Sequence, residues 1–72
     1  MSRRRLLYRT GRTVGPFEIV THRRQRGYVI EDNRTGRAVW TEPHPNTGRP
    51  RACYLPTMAA AVAALATFEP TD

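Results

Sequence analysis

The chain has 72 residues, a formal net charge of +6 and an isoelectric point near 11.1. That length allows one domain, burying only about 60% of the surface its unfolded chain exposes, and leaves no room for a deep active-site cleft beside a core. The single cysteine, Cys53, excludes an internal disulfide, and the longest apolar run, residues 58–68, is too short to cross a bilayer, so a soluble cytoplasmic protein with no membrane partner is expected.

All twelve basic residues are arginine. A guanidinium presents a planar fork suited to phosphate or carboxylate and sheds water more readily than an ammonium group. GC-rich coding would account for arginine in place of lysine, but it does not account for the excess charge. The distribution is uneven: residues 1–26 hold eight arginines and one acid, whereas residues 52–72 hold only two acids. The basic surface therefore belongs to the amino-terminal stretch and the loops.

In chain order, residues 1–16 mix arginine with Gly11, Gly15 and Pro16 without a sustained period, and read as a flexible basic arm whose only anchors are Leu6, Leu7 and Tyr8. Phe17 to His22 alternates in the manner of a strand. A basic loop over residues 23–27 leads to a second strand, Tyr28 to Asp32, and the turn Asn33-Arg34-Thr35-Gly36 leads to a third, Arg37 to Glu42. Three prolines and a glycine between Pro43 and Pro50 mark a surface loop, and Arg51 to Leu55 form a short extended approach to the last element.

Thr57 to Phe68, TMAAAVAALATF, reads as a helix: Thr57 caps the first amides, Pro56 holds the preceding backbone extended, alanine is the best helix former, and Pro70 bars continuation. Met58, Ala61, Val62, Leu65 and Phe68 recur at spacings of three and four and form its apolar stripe. A helix this short is marginal alone and needs a sheet to pack against. The expected fold is thus α+β, a three-stranded antiparallel meander with one carboxy-terminal helix across it (β-β-β-α), forming a single domain over residues 17–69 after the arm. Alternation places Phe17, Ile19, Tyr28, Ile30 and Val39 toward the helix, and Glu18, Val20, His22, Val29, Glu31, Ala38, Trp40 and Glu42 on the other face.

His22, His44 and Cys53 lack the paired spacing of a zinc site, and the chain has neither a glycine-rich phosphate cradle nor an acidic cluster, so no metal, cofactor or catalytic residue is expected, and the chain reads as a non-enzyme. In a meander the first hairpin loop and the connection into the helix leave the sheet at the same end. This brings Arg23, Arg24 and Arg26 toward Arg49 and Arg51, with Arg3, Arg4, Arg5, Arg9 and Arg12 on the arm as further contacts for a nucleic acid, DNA ahead of RNA. Any one loop arginine is more simply explained as a solvated charge; the cluster is the signal.

The order strand-strand-strand-helix over Phe17 to Leu65, with its threonine-capped, alanine-rich helix, resembles the small DNA-binding domains at the amino termini of phage-type integrases and in plant Apetala-type factors. The resemblance implies an open sheet face inserted into the major groove. Here that face would carry Glu18, Glu31 and Glu42, three carboxylates against phosphate. The same face offers a second reading, in which Val20, Val29, Ala38 and Trp40 form an apolar strip edged by glutamates. Either Leu6, Leu7 and Tyr8 fold back over it, or it docks a partner protein or a second copy, as in a phage- or plasmid-type modulator with Trp40 at its centre.

Overall fold

A computed structural model describes residues 7–22 and 25–69. They form α+β architecture with two antiparallel sheets and one helix. The larger sheet has the order β1 (Leu7–Val14), β2 (Phe17–His22), β3 (Val29–Asp32) and β4 (Arg37–Ala38). The smaller pairs β5 (Thr41–Pro43) with β6 (Pro50–Ala52), and the chain ends in α1 (Met58–Ala66).

The second and third strands and the helix lie where alternation and capping place them, and three differences from expectation have physical causes. Residues 7–14, expected as part of an arm, are a strand paired along β2, with Leu7 opposite His22 and Val14 opposite Phe17. Its own residues carry no apolar alternation. It is specified by its partner: Thr10 donates its hydroxyl to the Ile19 carbonyl at 2.7 Å, and Arg9 reaches Glu18 at 2.8 Å. Polar and charged side chains on an edge strand are also what keeps such an edge from pairing with other chains.

The expected third strand is the second difference. It divides into β4 and β5, with a bend at Val39–Trp40. Val39 still donates to the Ile30 carbonyl at 2.9 Å, but a regular strand would then send Trp40 to the opposite face. The bend turns both side chains to the helix side, where Trp40 meets the Phe68 ring edge-on with centroids 6.3 Å apart. The fold is therefore four strands plus two, not a three-stranded meander.

Thr57 caps the helix as its sequence predicts, accepting from the Ala60 amide at 3.1 Å. The helix ends at Ala66, where the Thr67, Phe68 and Glu69 amides close a tighter turn onto the carbonyls three residues back. Its buried line is Ala61, Ala64 and Leu65, and Val62 is exposed, a third difference from the expected stripe. Two alanines at the contact let the helix axis lie close to the sheet, which rotates the larger Val62 outward. Ile19 and Ile30, both fully buried, form the sheet's half of this core, with Phe17, Tyr28, Val39 and Leu55 around them.

The helix runs from one end of the sheet to the other. Near its start, Leu55 exchanges two backbone hydrogen bonds with Tyr28, 2.8 and 2.7 Å. Past its end, the Phe68 ring lies 4.6 Å from that of Phe17. At that far end the two turns of the sheet are tied together by the Asn33 amide, which donates to the Pro16 carbonyl at 2.7 Å.

Candidate nucleic-acid interface

The Tyr28–Leu55 junction fixes what the near end of the molecule displays. Gly27, at φ +97°, passes so close to it that a β-carbon there would stand 2.6 Å from the Leu55 carbonyl oxygen. Only glycine lets the β2–β3 connection press backbone to backbone against the chain entering the helix. The Cys53 amide donates to the Trp40 carbonyl at 2.9 Å and closes the base of the β5–β6 hairpin. The loop and the hairpin consequently emerge side by side.

Within the hairpin, the His44 amide donates to the Arg49 carbonyl and the Gly48 amide to the His44 carbonyl, both at 2.8 Å. His44 Nδ1 accepts from the Asn46 amide at 3.1 Å, and Thr47 Oγ1 from the Arg49 amide at 3.2 Å. These bonds hold a short polar tip and leave Arg49 exposed beside it. Two position pairs further down, Arg51 Nε lies 3.0 Å from Glu42 Oε2 across the two strands. Arg26 is exposed on the neighbouring loop. Between loop and hairpin lies a concavity of about 410 Å³ lined by Gln25, Glu42, Arg51, Ala52 and Tyr54.

The structure thus sets Gln25, the chain neighbour of Arg26, and Arg51 on one concavity. Arg3, Arg4, Arg5, Arg23 and Arg24 lie outside the described residues. Charge is partitioned clearly among the residues that are described. Each carboxylate of the strands has its own partner: Glu18 the Arg9 guanidinium, Glu31 the His22 ring, Asp32 the Arg34 guanidinium and Glu42 that of Arg51. None of these carboxylates takes up Arg26 or Arg49.

Two residues that sequence reasoning passed over belong to this end. Tyr54 is half-buried, its ring edge-on to His22 with centroids 5.9 Å apart. Burial, with the nearby Glu31 carboxylate, pushes its hydroxyl above the ordinary 10.0. Gln25 offers an exposed amide, and its own backbone amide donates to the His22 carbonyl at 3.2 Å. The signal that would have found Tyr54 is an aromatic three residues after Arg51, following a basic stretch. Cys53, next to it, is half-buried, and burial followed by the Glu42 carboxylate raises its thiol above 9.0, which keeps it protonated and inert.

Val20, Val29 and Trp40 do not form one surface. Val20 and Val29 are cross-strand partners on the face away from the helix, only 2% and 1% exposed. Trp40 is on the helix side. That outer face is instead a salt-bridged polar one, with Arg9, Glu18, Val20, Glu31 and Arg34 around a concavity of about 270 Å³. Among the described residues no three His, Cys, Asp or Glu side chains converge to hold a metal ion, and no helix is long and apolar enough to cross a membrane. Comparison with protein-family models, with curated proteins and with solved structures finds no match to this chain.

Proposed function

We propose that this chain is a small nucleic-acid-binding accessory protein of the cytoplasm that grips phosphate with the arginines of the β2–β3 loop and the β5–β6 hairpin. The observation that carries the reading is the partition of charge. Arg9, Arg34 and Arg51 each hold a strand carboxylate and the His22 ring holds a fourth, which leaves Arg26 and Arg49 without an acidic partner among the described residues; Arg12 and Arg37, elsewhere on the large sheet, are left so too. Unpaired guanidiniums on exposed loops are what neutralises phosphates and releases their counterions. Arg3, Arg4, Arg5, Arg23 and Arg24 add to the same excess in sequence.

The test is the affinity for a short DNA duplex and for single-stranded DNA and RNA across a salt series. Binding whose log K falls against log salt with a slope of about −4 to −6 is expected, corresponding to roughly five to seven neutralised phosphates. Arg26→Ala with Arg49→Ala should flatten that slope by about 2 while leaving the fold intact, since both are exposed. Absence of binding to any of these at low salt overturns the proposal.

A further inference from the structure

The geometry points to a nucleobase site in the concavity between the β2–β3 loop and the β5–β6 hairpin, which makes single-stranded nucleic acid the preferred ligand; this rests on the phosphate-gripping reading above. Elements suited to reading a duplex lack the means. The exposed positions of α1 include Ala59, Val62, Ala63 and Ala66, and the helix carries no basic residue in its last turn, so it has nothing with which to hold a groove wall. The outer face of the large sheet sets Glu18 and Glu31 directly opposite one another, with the Arg9 guanidinium and the His22 ring already engaged by them. A duplex laid on that face would meet paired carboxylates.

The loop end has a different composition. Its concavity, open to solvent, has a volume of about 410 Å³, within the roughly 300–1,000 Å³ range of small-molecule clefts. Tyr54 supplies an aromatic surface on which any base can stack. Gln25 contributes an amide donor and acceptor, and Glu42 and Arg51, held together at 3.0 Å, contribute an acceptor and donors on one rigid pair of strands. Arg26 follows Gln25 in the loop and Arg49 lies two residues before Arg51 in the hairpin, both exposed, so each is near in sequence to a lining residue and available to a phosphate next to a base turned inward. Unstacked bases are available in single strands and cost unpairing energy in duplexes.

The experiment compares the full chain binding three probes of equal phosphate number: oligothymidylate, an abasic strand of the same length and a duplex, each across a salt series. Oligothymidylate should bind about tenfold more tightly than the abasic strand, with nearly the same salt slope, and more tightly than the duplex. Tyr54→Ala should bring oligothymidylate down to the abasic level without changing abasic binding, and Gln25→Ala, at an exposed position, provides a second variant that does not disturb the fold. Equal affinities for all three probes with a steep common slope would overturn the base site while leaving the arginine–phosphate reading in place. No binding of any probe would overturn both.

Discussion

Glu18 and Glu31 stand directly opposite each other on β2 and β3, and each is engaged from a different side: Glu18 by the Arg9 guanidinium at 2.8 Å and Glu31 by the His22 ring nitrogen at 3.1 Å. Like charges at a cross-strand pair are destabilising. With Glu18 only 5% exposed, its carboxylate depends on Arg9 and on a longer bond from the Gly11 amide, 3.3 Å. Arg9→Ala should therefore cost about 1–3 kcal/mol in urea unfolding, and adding Glu18→Gln to that variant should recover part of the loss, because the stranded charge is removed. An unfolding midpoint indifferent to Arg9→Ala would show that β1 is held by its backbone ladder alone.

Gly27 and Gly36 separate conformational strain from steric contact. Both have positive φ, +97° and +74°, but a β-carbon at Gly36 would meet nothing within 4 Å, whereas at Gly27 it would overlap the Leu55 carbonyl. Gly36→Ala should cost about 1 kcal/mol and Gly27→Ala about 3 kcal/mol or more, as the Tyr28–Leu55 bonds are forced apart. Thermal melts of the two variants provide the comparison, and equal losses would sink the close-contact account.

Asp32 shapes the turn between β3 and β4. Its carboxylate accepts from Arg34 Nε and Nη2 at 3.0 and 2.8 Å and from the Arg34 amide at 2.8 Å, and these bonds hold it below its ordinary 3.8. A carboxyl lowered on folding stabilises the fold above its unfolded value and loses that contribution as pH falls through the folded one. The melting temperature should thus drop as pH is lowered below about 4. Asp32→Asn should be less stable at neutral pH and show a shallower acid limb; parallel acid limbs for the two chains would mean that other carboxylates carry the transition.

Much of this fold is legible in the sequence because local chemistry and tertiary environment agree. Phe17 to His22 and residues 29–32 alternate because one face packs on the helix, and Thr57 caps because its hydroxyl has an amide in reach. β1 is hidden because its determinants sit on another strand, in the Ile19 carbonyl and the Glu18 carboxylate. Alternation puts Trp40 on the wrong face because period two holds only while a strand is straight, and no proline or glycine announces the bend beside it. The shared location of the β2–β3 loop and the chain before the helix follows from antiparallel topology. The concavity beside Tyr54 does not, since it depends on how far the hairpin leans toward Gln25.

The 2.9 Å bond from Cys53 to the Trp40 carbonyl has an evolutionary corollary. It makes residues 41–52 an excursion that leaves the core and returns to nearly the same point, so natural drift in their length or identity is insulated from the packing of Ile19, Ile30 and Leu65. Descendants of this chain would be free to diversify what the hairpin tip meets while inheriting one unchanged scaffold.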